Sequence, residues 1–407
     1  MSRFPDGKPI PVVAHALPFA MTKKRLMTPG PTQVPEEARL AMAREVTHHR
    51  TAEFRARFAE VLEGLKYVFQ TAGDVIVLAS SGTGGMEAAV VNLVPRGGKA
   101  IVLEAGVFGR RWSDICQAFG IEVIRHEVSW GEAVLAEDVE KLLEKHPDAV
   151  AVFGTLMESS TGVAHDVRAI GQVVAASDAL FVVDAISGAG VVECRTDLWG
   201  IDVLVVGSQK ALMLPPGLAF LAVNPAAWRQ IDSVQPQAFY FDLKRYRQKL
   251  HGPDGPETPF TPAPTLVAAL AESLKLIRAA GIEQIWERAR ILSRATRAGI
   301  EALGLTLFAA RPAEGLTAVC VPERLEAAAF LRRLEERFGV RLAGGQAQLN
   351  GKIFRLAHLG LLDEFDILGT LAAMELVLVE LGWPVKLGSA VAAASGVLRG
   401  AERGNGK

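Results

Sequence analysis

From residue 75 onward, short apolar runs rich in β-branched residues alternate with amphipathic segments. The helical segments include GGMEAAVVNLV and GRRWSDICQAFG, and the strand-like runs are VIVLAS, AIVLEA, AVAVFGT, LFVVDA, DVLVVGS and LAFLAV. Continuously apolar runs of this length are typical of strands in a parallel sheet that helices cover on both faces. The pattern predicts one large α/β domain in which about seven strands form a single, continuously buried sheet.

After the segment TPFTPAPT the pattern changes to long helical stretches with short strands between them. Helical periodicity predicts helices over 266–280 and 282–303 and from about residues 325 and 363, while LTLFA, TAVCVP and KIFRLAHLG are strand-like. We therefore expect a smaller α+β domain in this part of the chain. The predicted division is an irregular N-terminal arm (1–21), a large domain (22–280), a small domain (281–385), and a C-terminal helix with a frayed tail (386–407).

Composition and charge narrow the class of protein. The chain has 407 residues, of which 50% are hydrophobic and 22% charged, so it is long enough for a large globular core. A formal net charge of -1 and the lack of a basic cluster argue against nucleic acid or an anionic membrane as a partner. No apolar run has the length of a bilayer span. The stretch at 10–16 weakly mimics a signal peptide, but prolines interrupt it, and Met21 is an alternative start.

The three cysteines, Cys116, Cys194 and Cys320, lie far apart and outside any metal-binding spacing. They therefore indicate neither a disulfide framework nor a zinc or iron–sulfur site. A low cysteine content is consistent with a reducing compartment, so we expect a cytoplasmic protein. We expect its partners to be small molecules or a second copy of itself.

A glycine-rich turn follows the first strand-like run. Ligands of open α/β sheets bind at the carboxyl ends of strands, and here SGTGG (81–85) stands between a strand and a helix. Small residues at a helix N-terminus can hold a phosphate, although a plain tight turn is an equal alternative. The turn is no dinucleotide fingerprint, because Glu87 occupies the third glycine position, although Glu104 lies at a distance suited to a ribose contact.

Two further strand ends carry charged residues. Asp184 closes LFVVD, and Lys210 is the only charged residue in VVGSQKALMLPPGLAF. A buried carboxylate needs a cationic or hydrogen-bonding partner, and a partly desolvated lysine can attack a carbonyl as a neutral amine. In isolation, Asp184 could cap a turn and Lys210 could reach to water. The three strand ends together favour a ligand with a phosphate, a protonatable nitrogen and an aldehyde, which describes pyridoxal 5'-phosphate.

At these residues the chain resembles the class V aminotransferases, specifically the serine–pyruvate and alanine–glyoxylate group. The resemblance covers almost the whole chain, and its motifs are TPGPTQVPEEA (28–38), HHRTAEF (48–54), ASSGTGGMEAAVVNL (79–93), ESSTGV (158–163), VVDAISG (182–188), GSQKALMLPPGLAF (207–220), TPFTPA (258–263) and FRLAHLG (354–360). It implies fold type I of the pyridoxal-phosphate enzymes, a large domain with a mainly parallel seven-stranded sheet plus a smaller C-terminal α+β domain. It also implies a homodimer with shared active sites.

The resemblance assigns roles to named residues. Lys210 would form the Schiff base with the cofactor, Asp184 would pair with its ring nitrogen, and Arg355 would bind the α-carboxylate of the substrate. The phosphate would be held by Ser81, Gly82, Thr83 and Gln209, with Thr258 and Thr261 reaching it from the second subunit. Ser159 would contact the phenolic oxygen, Ile186 would pack on the ring, and Phe108 stands where relatives often place a stacking tryptophan. His48, His49, Arg50 and His358 are interpreted as structural.

The expected activity is a transamination in two half-reactions, from a small L-amino acid, alanine or serine, to glyoxylate or pyruvate. An alternative is a lyase or desulfurase of the same class, but desulfurases carry histidines where this chain has Gln209 and Phe108. A nicotinamide dehydrogenase and a noncatalytic subunit of a larger complex are further alternatives. Some relatives are named as a soluble hydrogenase subunit, yet nothing in this sequence could ligate nickel or an iron–sulfur cluster.

Overall fold

The computed structural model describes residues 23–235 and 237–404, with side chains up to residue 401. The predicted N-terminal arm, the signal-like stretch and Met21 lie outside these residues. The strands are β1 (Arg25–Leu26), β2 (Asp74–Ala79), β3 (Lys99–Glu104), β4 (Glu122–Glu127), β5 (Ala149–Thr155), β6 (Met157–Glu158), β7 (Val163–Ala164), β8 (Leu180–Asp184), β9 (Val203–Gly207), β10 (Leu218–Val223), β11 (Leu316–Cys320), β12 (Val340–Arg341), β13 (Ala343–Gly344) and β14 (Ile353–Ala357). The helices are α1 (Glu36–Met42), α2 (Ala52–Phe69), α3 (Gly82–Leu93), α4 (Val107–Ala118), α5 (Ala136–Lys145), α6 (Val167–Val174), α7 (Pro225–Ser233), α8 (Leu243–Leu250), α9 (Pro264–Ala280), α10 (Ile282–Ala302), α11 (Ala327–Phe338), α12 (Glu364–Glu380) and α13 (Ser389–Gly404).

A seven-stranded sheet forms the centre of the large α/β part, in the order β2-β10-β9-β8-β5-β3-β4. Only β10 runs antiparallel to its neighbours β2 and β9, and the other pairings are parallel. The prediction of an α/β fold with a mainly parallel seven-stranded sheet is therefore confirmed. One detail differs: β4, EVIRHE, lies at the edge and is partly exposed, so the sheet is not buried continuously. An edge strand has a neighbour on one side only, which allows charged side chains.

Helices cover both faces of this sheet. Along β2, Val75 and Val77 pack in one hydrophobic cluster with α2 and α9, whereas Ile76 and Leu78 pack in another with α3 and α4. Successive side chains of a strand point to opposite faces, so a run that is apolar at every position requires two covering layers. This two-sided burial explains why the strand-like runs were continuous rather than alternating.

The C-terminal part builds a separate three-stranded sheet, β11-β14-β13, beside α10 to α13. The segment LTLFA, predicted as a strand, makes only an isolated bridge between Leu307 and Val319. The helix α13 continues to Gly404 and thus includes residues 400–404 of the segment expected to be frayed. Its N-terminus is held by Glu375 of α12, whose carboxylate accepts from the N–H groups of Gly388 and Ala390. The domain boundaries proposed above remain a prediction.

A segment at the start of the described chain connects this small sheet to the large one. Met27 accepts a hydrogen bond from the N–H of Ala357 in β14. Five residues later, Thr32 donates its N–H to the Gln209 carbonyl and its hydroxyl to the Lys210 carbonyl, at 3.1 and 2.8 Å. The residues between them therefore lie against the loop that follows β9, where the candidate site begins.

Candidate active site

The candidate site lies where neighbouring strands of the large sheet deliver their carboxyl ends. Asp184 is the last residue of β8, Lys210 follows β9 by three residues, and Ser81 follows β2 by two. The strand β9 lies between β8 and β10, and β10 lies against β2, so these ends share one edge of the sheet. The three positions chosen from the sequence are thereby brought to one side of the fold.

Lys210 is held in a mostly buried position by the segment before Thr32. Its Nζ donates to the carbonyl of Pro29, and a Cβ built on Gly30 would lie 2.5 Å from this Nζ. The pKa of Lys210 is lowered to about 8, mainly by burial and also by the charge of Arg355, while Asp184 opposes the shift. An amine with such a pKa has a substantial neutral fraction near pH 8 and can act as a nucleophile or a base.

Asp184 is 4% exposed, and its Oδ1 accepts from the N–H of Ile186 at 2.9 Å. Burial raises the pKa of Asp184 to about 7, and the charge of Glu158 raises it as well, whereas Arg111 and Lys210 lower it. A carboxyl group with this pKa is a good proton acceptor and pairs strongly with a protonated ring nitrogen.

The glycine-rich turn forms a backbone cradle at the N-terminus of α3. Ser81 is the N-cap residue, and its side chain makes no capping hydrogen bond. A Cβ on Gly82 would lie 2.5 Å from Ile186 Cδ1, and one on Gly84 would overlap the Ser80 hydroxyl, so a larger residue at either position would displace these side chains. A helix N-terminus with such close packing suits an anion.

Gln209 places a buried side-chain amide beside this turn. Its side-chain Oε1 is buried and has no hydrogen-bond partner among the described residues. The same atom lies close to Gly207, beside Ile186. A buried amide without a partner is uncommon in folded proteins, since leaving it unpaired costs about 1–3 kcal/mol. A side-chain amide can present either its oxygen or its NH₂ group at one position, and the NH₂ group would donate to a phosphate. The cradle, this amide, Lys210 and Asp184 together fit a pyridoxal phosphate.

Arg111 and Phe108 complete the wall near this turn. Arg111 donates through Nη1 to the Thr83 hydroxyl at 3.0 Å, and its guanidinium lies 4.8 Å from the centroid of the Phe108 ring. Sequence reasoning missed Arg111. The available signal was its spacing of three residues from Phe108, because residues i and i+3 of a helix share a face.

Arg355 of β14 approaches the site from the small sheet. It is 6% exposed, its Nη1 donates to the Ser159 carbonyl at 2.5 Å, and Nε and Nη2 donate to the Gly344 carbonyl at 3.1 and 2.8 Å. Of its five N–H groups, three are thus paired with described residues, and one on each terminal nitrogen is left for a carboxylate. Burial lowers the pKa of Arg355 to about 10, so it stays protonated at neutral pH.

The remaining sequence candidates lie outside this cluster or serve as structure. Thr258 donates its hydroxyl to the Phe260 carbonyl at 2.7 Å, and Thr261 is exposed. Arg50 holds their loop through Glu257 and the Thr258 carbonyl, at 2.7 and 2.9 Å. Among the described residues, no hydrogen bond links either threonine to the glycine-rich turn of the same chain.

The histidines fit the structural interpretation. The rings of His48 and His49 stack with their centroids 4.7 Å apart. His358 is buried between the Thr317 hydroxyl and the Glu314 carbonyl, and burial lowers its pKa to about 3. A histidine with this pKa is neutral at all physiological pH values and shuttles no proton.

Glu104, Cys116 and Cys194 do not fit the roles that the alternative functions would give them. Ser113 donates its hydroxyl to Glu104, and Arg125 lies 3.6 Å from the same carboxylate, so the acid that a dinucleotide would need is used internally. Burial raises the pKa of Cys116 and Cys194 to about 12, which leaves no reactive thiolate at these positions. Among residues 23–235 and 237–404, no group of three potential metal ligands is found.

A lysine, an acid and an anion cradle at the strand ends of a mainly parallel sheet define a pyridoxal-phosphate enzyme of fold type I. A sequence model of the family described as "Aminotransferase class-V" matches residues 28–357, so the chain belongs to the class V aminotransferases. It is an aminotransferase that depends on pyridoxal phosphate.

The chain aligns with individual relatives over almost their whole length. The chain is 36% identical over 377 residues to the L-aspartate–glyoxylate aminotransferase of Paracoccus denitrificans, covering 91% of this chain and 94% of that protein. It is 41% identical to a protein named "Soluble hydrogenase, small subunit" from Synechococcus, covering 92% of this chain and 98% of that protein. The structure of ureidoglycine–glyoxylate aminotransferase from Bacillus subtilis superposes with a TM-score of 0.89 at 28% identity, covering 94% of this chain and 100% of that chain.

Proposed function

We propose that this aminotransferase moves the amino group of a small L-amino acid, alanine or serine, to a small 2-oxo acid, glyoxylate or pyruvate. The observation that carries the proposal is Arg355, whose two remaining N–H groups can grip one α-carboxylate. Donor and acceptor would bind there in turn, because each half-reaction uses the same site. Two relatives are named as aspartate–glyoxylate and serine–glyoxylate aminotransferases, which supports glyoxylate as an acceptor.

The donor is expected to be small and uncharged. A donor such as aspartate needs a second cation for its side-chain carboxylate, and Arg111, whose charge acts on both Asp184 and Lys210, is a candidate. Its guanidinium is already engaged with the Thr83 hydroxyl and the face of Phe108. Alanine and serine need no such partner, so they are the preferred donors.

In the mechanism, bound pyridoxal phosphate supplies an electron sink for the carbanion formed at the substrate Cα. Lys210, whose pKa is near 8, would remove the proton from the substrate Cα as a general base and would carry that proton during the half-reaction. Asp184 would keep the ring nitrogen protonated, because its buried carboxylate charge pairs with a protonated nitrogen and burial limits the screening of the pair by water. Arg355 orients the carboxylate so that the Cα–H bond points toward Lys210.

The cofactor would be held by residues of this chain and of a second copy. The phosphate would lie on Ser81, Gly82 and Thr83, and the NH₂ group of the Gln209 amide would donate a further hydrogen bond to it. Phe108 and Ile186 would enclose the ring, and Ser159 would contact its phenolic oxygen. We propose that Thr258 and Thr261 complete the phosphate site of the partner in a homodimer, and that the protein is cytoplasmic.

A panel of amino donors and oxo-acid acceptors tests this function. Each donor is mixed with stoichiometric enzyme, and the change of cofactor absorption in the single half-reaction is recorded. We expect the fastest change with alanine or serine, and reversal with glyoxylate or pyruvate. A response to aspartate alone would overturn the donor assignment, and a lack of response to all donors would overturn the function.

Lys210→Ala is the matched negative control for this panel. It should abolish both the covalent attachment of the cofactor and the half-reaction, because it removes nucleophile and base together. The fold should survive, as the change deletes a side chain whose charge is poorly solvated. Substantial turnover by this variant would contradict the role of Lys210.

A further inference from the structure

Glu158 is a fully buried acid that the proposed mechanism does not use. It ends β6, is 0% exposed, and has no Lys or Arg side chain in salt-bridge contact among the described residues. Burying a carboxylate in this way costs several kcal/mol unless hydrogen bonds compensate. Its hydrogen bonds therefore show what it is used for.

Both oxygens of Glu158 are fully engaged as acceptors. Oε2 accepts from the backbone N–H groups of Phe108 and Gly109 at 3.0 and 2.9 Å. Oε1 accepts from the N–H and the hydroxyl of Ser160 at 3.1 and 2.5 Å. The Ser160 oxygen in turn accepts from the N–H of Val107 at 3.0 Å. Glu158 and Ser160 thus satisfy the first three amides of α4, which a carboxylate at a helix N-terminus also stabilises electrostatically.

This arrangement replaces the local cap that the helix lacks. Helices are ordinarily capped by Ser, Thr, Asp or Asn at the N-cap position, whereas α4 has Gly106 there and no side-chain cap. A Cβ on Gly106 would lie 2.6 Å from Glu158 Cδ and 2.5 Å from the Ser160 hydroxyl. The glycine therefore makes room for a carboxylate that arrives from about 50 residues further along the chain.

We infer that Glu158 is a positioning residue. It fixes the N-terminus of α4, which carries Phe108 and Arg111, to the turn that follows β6. The Ser159 carbonyl in this turn accepts a hydrogen bond from Arg355. The inference rests on the proposed roles of Phe108 and Arg355. Glu158 thus connects Phe108, whose ring is proposed to stack on the cofactor, with Arg355, whose guanidinium is proposed to bind the substrate carboxylate. One carboxylate thereby sets the distance between cofactor and substrate sites.

The charge of Glu158 acts in the same direction. It raises the pKa of Asp184, and the same negative charge favours a proton in the pair that Asp184 would form with the ring nitrogen. It also raises the pKa of Arg355 against the effect of burial, which helps to keep the guanidinium charged. Burial itself raises the pKa of Glu158, and the donors from Ser160, Gly109 and Phe108 oppose that shift.

Glu158→Gln tests the inference, with Glu375→Gln as the matched control. Both glutamates are buried and cap a helix from a distance, but Glu375 serves α13, outside the candidate site. Glutamine offers one oxygen instead of two, so its NH₂ group must face either the α4 amides or Ser160. Three quantities are measured on both variants: the melting temperature of the apoprotein, the dissociation constant of pyridoxal phosphate for the apoprotein, and KM for donor and acceptor.

Both variants should lower the melting temperature. Only Glu158→Gln should weaken pyridoxal-phosphate binding and raise both KM values, each by about tenfold, which matches the loss of one good charge-assisted hydrogen bond. A Glu158→Gln variant with a lowered melting temperature but unchanged binding constants would make Glu158 a structural cap and overturn the inference.

Gly106→Ala is the second variant and covers the case in which Glu158→Gln does not fold. It retains the charge but pushes the carboxylate and Ser160 apart, so it should change the same binding constants in the same direction. Wild-type constants in a folded Gly106→Ala variant would also overturn the inference. Wild-type transamination tests the proposed function separately, because cofactor binding to the apoproteins is measured without turnover.

Discussion

Burial shifts the pKa values of Lys210 and Asp184 in opposite directions. Burial lowers the pKa of the lysine to about 8 and raises that of the acid to about 7, since it disfavours the charged form of each. Near neutral pH, both groups therefore exchange protons readily. The fold creates this condition by placing charged residues at the ends of apolar strands. Burial of these charged groups lowers the stability of the protein.

Asp184→Asn should show, in the apoprotein, how much stability the buried Asp184 carboxylate removes. The folded pKa of about 7 lies above the ordinary value of 3.8, so the folded state binds more protons between these values. The stabilisation is full below pH ~4 and is lost as pH rises through ~7, by an amount on the order of a few kcal/mol. Asparagine does not titrate, so the variant should become progressively more stable than wild type between pH 5 and pH 8.

Urea unfolding of both apoproteins at pH 5, 6.5 and 8 measures this difference. The holoenzyme of the same variant should keep its cofactor but lose roughly a hundredfold or more in kcat, because an amide cannot hold the ring proton by charge pairing. A pH-independent stability difference together with wild-type turnover would show that Asp184 only caps its turn.

Arg355→Lys should raise KM for donor and acceptor alike. A lysine cannot reproduce the planar fork that grips a carboxylate through two N–H groups. We expect an increase of roughly ten- to a thousand-fold, equivalent to about 1.5 to 4 kcal/mol for lost charge-assisted hydrogen bonds. Steady-state kinetics with varied donor and acceptor measure it, and Arg333→Lys on the exposed face of α11 is the control. Unchanged KM for both substrates would place the carboxylate site elsewhere.

Residues such as Lys210 and Asp184 could be predicted from the sequence because a single charge in an otherwise apolar run is conspicuous. Arg111 and Glu158 could not, because each stands among polar neighbours and looks like a solvent-exposed charge. Their partners are about 28 and 50 residues away along the chain. Only the packing of α4 against the glycine-rich turn and β6 brings these groups together.

At the scale of elements, the apolar runs predicted the strands that are buried on both faces. The strand β4 was harder to recognise, because EVIRHE carries charges that only an edge position tolerates. The segment LTLFA has strand composition, but it makes only one bridge to β11. Pairing partners are set by tertiary contacts, which composition does not encode.

The segment that contains Gly30 illustrates how a loop positions a catalytic group. Gly30 has φ +129°, and a Cβ there would lie 2.5 Å from Lys210 Nζ, so Gly30→Ala must displace the lysine. We expect kcat and the covalent attachment of pyridoxal phosphate to fall at least tenfold, as a misplacement of about 1 Å costs more than this in many enzymes.

Gly97→Ala is the matched control for Gly30→Ala. Gly97 also has a positive φ, +78°, but no atom lies within 4 Å of a Cβ built on it. Both variants place a side chain at a positive φ, which costs about 1–3 kcal/mol, and only Gly30→Ala adds the collision with Lys210. Borohydride trapping of the cofactor followed by mass spectrometry measures attachment. Equal trapping in the two variants would show that Gly30 does not position Lys210.

At the scale of the whole molecule, the described chain leaves aromatic surface beside the loop of Thr258 and Thr261. Phe239 is 68% exposed and Tyr240 39% exposed, and both stack near Phe260 with centroid distances of 5.7 and 5.0 Å. Clustered exposed aromatic side chains are typical of an interface between subunits. They adjoin the two threonines proposed to reach the partner's phosphate site.

Phe239→Asp should therefore separate the proposed dimer and weaken cofactor binding at the same time. A buried charge at the interface would be unpaired, and each monomer would lose the threonines supplied by its partner.

Phe365→Asp is the control, because Phe365 is 80% exposed but lies on α12, beside the small sheet. Sedimentation velocity over a range of protein concentrations gives the oligomeric state, and titration of the apoproteins gives pyridoxal-phosphate affinity. Phe239→Asp should be monomeric with affinity reduced by about tenfold or more, as expected when charge-assisted contacts to the phosphate are lost, whereas Phe365→Asp should match wild type. A monomer that binds the cofactor with wild-type affinity and turns over at the wild-type rate would show that each active site is complete within one chain.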